Sequence, residues 1–237
     1  MRTIVWFSCG AASAVASYLT LQTSPDAILV YCDTGGEHPD NKRFMADVEK
    51  WLKKEVIVLK NTEYSDHFDV VEKTRYVNGP SGARCTAELK KKLRLQFQEV
   101  DDIQVFGYTA DVKDRARATR FENTFPEVYS RFPLIEKSLT KQNCLGVLTS
   151  VGISVPVMYK LGFENNNCIG CVKGGKGYWN RVRSHFPEQF ERMAKIERSI
   201  GHSCINGIFL DELDPESGHK TKEADMSCDF ICQSVIV

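Results

Sequence analysis

Short apolar runs alternate with amphipathic stretches along the first half of the chain. Ile4–Phe7 reads as a strand, and Ala11–Leu21 as a helix with Val15 and Leu19 on one face. Ala27–Tyr31 is a second strand. Pro39–Lys53 reads as a helix, since Phe44, Val48, Trp51 and Leu52 stand at i, i+4, i+7 and i+8 and proline suits a first turn. Val56–Leu59 gives a third strand, Thr86–Gln98 a helix carrying Leu89, Leu93 and Phe97 in line, and Ile103–Phe106 a fourth strand. Strands separated by helices of this length predict an α/β fold with a parallel sheet and right-handed crossovers.

Beyond about residue 125 the pattern changes. Pro126, Pro133 and Pro156 punctuate it, with a helix expected near Lys141–Ser150 and another from Pro187 to Ile200. Between them lies a dense Gly/Cys/Lys segment, Asn165–Gly177, and Gly207–Leu210 reads as one more strand. The tail from Asp211 onward has no clear period. These features predict an α/β domain over residues 1–172 and a mostly helical C-terminal extension over 173–237, packed on the same domain.

Composition narrows the class. The 237 residues are 42% hydrophobic and 26% charged, an ordinary globular balance that excludes a disordered or fibrous chain. No apolar run reaches the ~18 residues of a membrane helix, and the apolar stretch after Met1 is too short for a signal peptide. The expectation is a soluble, cytoplasmic protein with no membrane partner. Thirty-one basic and 31 acidic side chains cancel, so no bulk attraction to nucleic acid is written into the total. Nine cysteines, an odd number without a secretory leader, argue against a disulfide framework and for core residues, ligands or redox groups.

The chemistry concentrates at strand ends. Ser8-Cys9-Gly10-Ala11-Ala12-Ser13 turns the first strand into the first helix, where small residues and helix N–H groups admit an anion. The second strand ends in Tyr31-Cys32-Asp33-Thr34-Gly35, which puts a carboxylate and a glycine turn at the adjacent strand end. Two basic groups follow: Lys113, Arg115, Arg117 and Arg120, then Lys173, Lys176, Arg181 and Arg183 with Tyr178 and Trp179. Both suit phosphate or sulfate, and the aromatic neighbours suit base stacking, although a solvated face explains any single one equally well. His38 stands near the proposed site; the other histidines show no ligand spacing.

Phe7–Ser13 followed by Tyr31–Gly35 resembles the phosphoadenosine phosphosulfate reductase branch of the adenine nucleotide alpha-hydrolase-like (PP-loop) superfamily. That family carries a pyrophosphate loop S-G-G-x-D-S and a D-T-G motif after the next strand. The resemblance continues through Gly107-Tyr108-Thr109 with Arg115 and Arg117, Pro133-Leu134-Ile135, Tyr159–Gly162 and Cys168-Ile169-Gly170-Cys171, about residues 4–172 in the family's order. It implies a Rossmann-like parallel-sheet fold and a site for an adenine nucleotide or phosphoadenosine phosphosulfate. Ser8, Gly10 and Ser13 would cradle the phosphates, Asp33 and Gly35 would line the ribose, and Arg115 with Lys173, Lys176, Arg181 and Arg183 would neutralise the anion.

The departures qualify the reaction. Cys9 replaces the first loop glycine, and Ala12 stands where ATP-cleaving members carry aspartate. The reductases' C-terminal E-C-G-x-H motif is absent, which leaves Cys228 and Cys232 as the candidate catalytic thiols, regenerated by a thioredoxin-like reductant. The alternatives are an ATP-dependent sulfur-transfer or nucleic-acid-modifying PP-loop enzyme, and a non-catalytic metal-stabilised nucleotide or nucleic-acid binder. A homo-oligomer is compatible with either.

Cys168-x-x-Cys171 offers two thiolates to one metal. Iron–sulfur members of the family carry a cysteine pair at the place of Cys85, here single and followed by Lys90-Lys91-Lys92. Cys85, Cys144, Cys168 and Cys171 are the expected ligands of a 4Fe-4S cluster, with structural zinc or an empty C-x-x-C as alternatives. Cys9 and Cys32 suit small buried roles, and Cys204 has no informative context.

Overall fold

The structure is a computed structural model and describes residues 1–80 and 82–218. In chain order the elements begin β1 (Thr3–Trp6), α1 (Ala11–Thr23), β2 (Ile28–Asp33), α2 (Asn41–Leu52), β3 (Val56–Lys60) and α3 (His67–Thr74). A helical stretch follows as α4 (Arg84–Thr86), a π-helical segment (Ala87–Lys91) and α5 (Lys92–Phe97). Then come β4 (Ile103–Phe106), α6 (Val112–Thr124), β5 (Ser130–Arg131), α7 (Pro133–Glu136), α8 (Lys141–Ser150), α9 (Val157–Lys160), α10 (Lys176–His185) and α11 (Pro187–Ile200).

All five strands are parallel, in the order β3-β2-β1-β4-β5. The chain builds outward from β1 to β3 and then returns to lay β4 on the other side of β1. The switch in direction therefore falls between β1 and β4, where open α/β sheets leave a crevice beyond their carboxyl ends.

Period-two alternation divides the sheet's side chains between two layers. Val5, Phe7, Leu29, Tyr31 and Val105 join a core with α1, α2 and α8. Ile4, Trp6, Val30, Cys32 and Phe106 join another, flanked by Leu93, Phe97 and Phe121 of α5 and α6. Helix α1 runs directly beneath the sheet because its buried face is small: Ala11, Ser13, Ala14, Val15, Ala16 and Ser17. A third core ties Phe68, Met158 and Ile169 to Trp179, Phe190 and Met193 of α10 and α11.

Local signals account for several boundaries. Thr140 and Asn143 cap α8 reciprocally: the Asn143 N–H donates to Thr140 Oγ1 at 3.2 Å and the Thr140 N–H to Asn143 Oδ1 at 2.9 Å. Pro187 opens α11, and Gly201 at φ 78° closes it. The expected strand at Gly207–Leu210 does not form. Ile205 and Ile208 instead make an isolated antiparallel bridge around a Gly207 turn, and the Leu210 N–H is spent on the Glu197 carboxylate. Helix α6 gave no hydrophobic signal because only Ala118 of its thirteen residues is buried.

Candidate functional site

A cleft of about 1410 Å³ opens at the switch point and is lined by the ends of β1, β2 and β4, by α4 to α6, and by the segment around Cys168. Its charged lining is mainly basic, with Lys90, Arg94, Arg117 and Lys173 among eight lysines and arginines against Asp111, Asp114 and Glu164. Among the described residues, no helix is long and apolar enough to cross a membrane.

At the floor of the cleft, Ser8, Gly10 and Ser13 of the loop after β1 line the wall. The N–H groups of Ser8 and Gly10 both donate to Ser13 Oγ, at 3.0 and 3.2 Å, while Ser13 Oγ donates back to the Gly10 carbonyl at 2.9 Å. Both backbone donors are engaged by this one hydroxyl at the start of α1, the place where a phosphate oxygen would replace it as acceptor. The loop is held from three sides. Tyr159 Oη accepts from the Ala11 N–H at 3.4 Å, Asn166 Nδ2 donates to the Cys9 carbonyl at 2.6 Å, and Gly107 lies so close that a Cβ there would meet Ser13 N and Cα at 2.8 Å. Cys9, which stands where the family has glycine, adopts φ 54°, in the left-handed region glycine favours.

The end of β2 is organised differently from expectation. Asp33 accepts from the Gly35 N–H at 2.8 Å and pairs with Lys60 at 3.5 Å, and neither Asp33 nor Gly35 lines the cleft. Gly35 is at φ 67°, and a Cβ there would strike the Ser65 carbonyl. Thr34 does face the cleft, with its hydroxyl 3.1 Å from Cys168 Sγ.

The basic residues separate into distinct places. Arg117 lines the cleft, pairs with Asp114 at 2.8 Å and covers the Tyr108 ring. Arg115 is outside the lining and donates to the Ala110 carbonyl. Lys173 borders both the cleft and a neighbouring cavity of about 470 Å³, which Lys176 and Arg181 also line. Arg181 donates to the Gly162 carbonyl. Arg183 binds the Leu210 and Leu213 carbonyls at 3.1 and 2.7 Å and lies over Phe190, a purely internal fastening.

Arg94 is the site residue that spacing did not reveal. Its guanidinium is 4.9 Å from the Trp6 ring centroid and 4.8 Å from that of Phe106, and it donates to Gln104 Oε1 at 3.2 Å. Its buried Nε has no partner, and among the described residues no carboxylate pairs with it. Burial lowers its pKa, with Tyr108 and Cys32 opposing. In the sequence it is one cation on a basic amphipathic helix, with nothing to mark it as inward-facing.

The proposed metal ligands are not all in one place. Cys85, Cys168 and Cys171 line the cleft, whereas Cys144 is fully buried in the core of α1 and α8. Tyr178 Oη pins the C-x-x-C turn by accepting from the Gly170 and Cys171 N–H groups, at 3.0 and 2.9 Å, and donating to the Cys168 carbonyl at 2.7 Å. Burial pushes the Cys168 thiol up, Glu37 adds to the effect, and Lys90 and Thr34 pull it back. Lys90 itself sits 3.2 Å from the buried Glu37 carboxylate. Burial opposes its charge, but Glu37 and Cys168 outweigh that and hold its pKa above the usual range. Among the described residues, no three His, Cys, Asp or Glu side chains stand close enough to hold a single metal ion as placed. No disulfide joins the described cysteines, and Cys228 and Cys232 lie outside the described residues.

No curated protein matches the chain. The family model of the phosphoadenosine phosphosulfate reductase domain matches residues 2–175, a span that takes in all five strands, the β1 loop and the C-x-x-C turn. With its parallel sheet and its β1 loop and C-x-x-C turn inside the matched span, the chain belongs to the phosphoadenosine phosphosulfate reductase family.

Proposed function

We propose that the chain is a sulfonucleotide-reductase-like enzyme that binds an adenine nucleotide in the cleft between β1 and β4. The observation that carries the reading is the convergence of the Ser8 and Gly10 amides beneath a basic cleft, in a chain of this family. The phosphates lie on the β1 loop, and Arg94, Arg117 and Lys173 neutralise the remaining charge. Half-buried and without a carboxylate, with its buried Nε unpartnered, Arg94 supports an anionic ligand, since a partly desolvated charge is costly until a counter-ion arrives.

In this reading the catalytic thiol comes from Cys228 or Cys232. Its thiolate attacks the sulfate sulfur of phosphoadenosine phosphosulfate, a new S–S bond forms, and the S–O bond to the phosphate breaks with the electron pair leaving on the nucleotide. A second thiolate then displaces sulfite and leaves a disulfide, which a thioredoxin-like dithiol reduces. The same chemistry suits a soluble, cytoplasmic enzyme working with a dithiol donor.

The donor set beside this site fits an iron–sulfur group. Cys85, Cys168 and Cys171 are three thiols on one cleft wall, with Lys90 and Lys173 near enough to offset thiolate charge at Cys85. A 4Fe-4S cluster held there would add a redox-capable, polarising centre next to the nucleotide's anionic end; the residues themselves bind, orient and exclude water.

ATP cleavage is the weaker reading. Ala12 lines the cleft where a magnesium-binding carboxylate would stand. The nearby Asp111 and Asp114 are already engaged by Thr109 Oγ1, at 2.8 and 3.0 Å, with Asp111 also accepting from the Lys141 N–H. One observation favours a second, polymeric substrate: the cleft exceeds the ~300–1,000 Å³ of an ordinary small-ligand pocket and continues along Arg120 and Phe125 of the α6 region.

Calorimetry against phosphoadenosine phosphosulfate, adenylyl sulfate, ATP with magnesium and single-stranded DNA tests the reading, with sulfite release assayed under a dithiol reductant. Tight binding of the sulfonucleotide with sulfite release is expected. Preference for ATP with pyrophosphate release, or for DNA alone, would sink it.

A further inference from the structure

A four-iron cluster is ordinarily held by four thiolates, and Cys144 stands in the core of α1 and α8, apart from the one Cys85 packs against. Another cysteine stands in the right one. Cys204 is buried in the same cluster as Ile169 and Val172 of the C-x-x-C segment, with Cys85 packed against it.

Its backbone is fastened to that segment. Asn78 Nδ2 donates to the Val172 carbonyl at 2.5 Å and to the Cys204 carbonyl at 3.3 Å, so one side-chain amide joins the residue after Cys171 to Cys204 itself. On its other side, Cys204 is set by Glu197, which is fully buried. Glu197 Oε1 accepts from the Cys204 N–H at 2.5 Å and Oε2 from the Leu210 N–H at 2.8 Å. Helix α11 ends at Gly201 in the left-handed conformation, which turns the chain back towards Asn78 three residues before the cysteine.

Glu197 thus spends both carboxylate oxygens on the backbone of the Cys204–Leu210 turn, a costly polar support inside an apolar core.

We infer that Cys204, in place of Cys144, is the fourth protein ligand of a 4Fe-4S cluster whose other ligands are Cys85, Cys168 and Cys171. Cys85, Cys168 and Cys171 hold it from the cleft wall, and Cys204 closes the set from the core side. This rests on the cluster reading above and names its ligands. A cluster takes one thiolate on each of four separate irons, so its ligands stand farther apart than four sulfurs drawn to ~2.3 Å around a single zinc.

The test is anaerobic purification and reconstitution of the full chain, its Cys204→Ala and Cys144→Ala variants, with iron, zinc and acid-labile sulfide measured and visible absorption recorded. Folding is checked by circular dichroism and phosphoadenosine phosphosulfate affinity by calorimetry. Wild type and Cys144→Ala should carry iron and sulfide, and Cys204→Ala should fold yet lose most of both. Iron retained in full by Cys204→Ala, iron lost from a folded Cys144→Ala, or stoichiometric zinc in place of iron in the wild type would each overturn the assignment. The Cys144→Ala arm stands even where Cys204→Ala does not fold. Iron-free wild type that still binds the sulfonucleotide overturns the cluster and leaves the nucleotide reading intact, whereas an iron-loaded wild type that ignores every nucleotide overturns only the latter.

Discussion

Thr34 Oγ1 lies 3.1 Å from Cys168 Sγ and so joins the end of β2 to the C-x-x-C turn across 134 residues of sequence. Thr34 is 3% exposed, so this contact is made out of water. Thr34→Val keeps the shape and deletes the hydroxyl. A hydrogen bond of this kind contributes ~1 kcal/mol, and a melting temperature ~2–4 °C lower is expected for a chain of this size. Because the hydroxyl holds the Cys168 pKa down, iodoacetamide should also label Cys168 of the metal-free variant more slowly than the wild type, which mass spectrometry reads directly.

Gly107→Ala tests how the β4 end supports the phosphate loop. The new methyl would meet Ser13 N and Cα at 2.8 Å, and backbone cannot swing aside as a side chain does. A cost of ~1–3 kcal/mol in stability is expected. Nucleotide affinity should fall at least about tenfold as the Ser8 and Gly10 amides are displaced. Calorimetry showing unchanged affinity would remove the loop from the site.

Arg94→Met separates ligand binding from stability, because the two should move in opposite directions. Removing a half-buried, carboxylate-free guanidinium while keeping its packing between Trp6 and Phe106 should leave the apo-protein as stable or more so. Affinity for an anionic nucleotide should drop about tenfold or more, with a shallower salt dependence. Equal affinity in the two proteins would show that Arg94 only packs.

His67 makes stability depend on pH. It is 2% exposed, tilted against the Phe68 ring, with Nε2 3.2 Å from the Gly170 carbonyl and Nδ1 without a partner. Burial holds its pKa down to about 4, against Asp66 and the Gly170 carbonyl. The unfolded chain takes up a proton as pH falls below ~6.5, while the folded one resists until about 4, so stability is full above 6.5 and lost down to 4. The whole shift corresponds to roughly 3 kcal/mol, of which about 2 is gone by pH 5. Urea midpoints at pH 7 and pH 5 should differ clearly in wild type and much less in His67→Gln.

Much of the scaffold was legible along the chain. The first four strands declare themselves through runs such as Ile103–Phe106, and Lys141–Ser150 and Pro187–Ile200 fall where their caps and prolines put them. These features are local: a strand's apolar run or a helix's cap is decided within a few residues. Helices α6 and α10 were not legible, because so few of their side chains are buried that no period appears.

The site divides along the same line. The α/β class, the small-residue loop at Ser8–Ser13 and the C-x-x-C pair can be read along the chain, since each is a contiguous segment whose character is carried by neighbours. That Arg94 turns into the cleft, that Arg115 and Arg183 turn away, and that Cys204 rather than Cys144 shares a core with Cys85 is settled by the packing in three dimensions. Those outcomes depend on which helix faces which layer of the sheet and on single fastenings between remote segments, such as Asn78 to Val172 and Cys204. Spacing along a chain carries no record of contacts made across 100 residues; burial and hydrogen-bond satisfaction in the folded molecule select them.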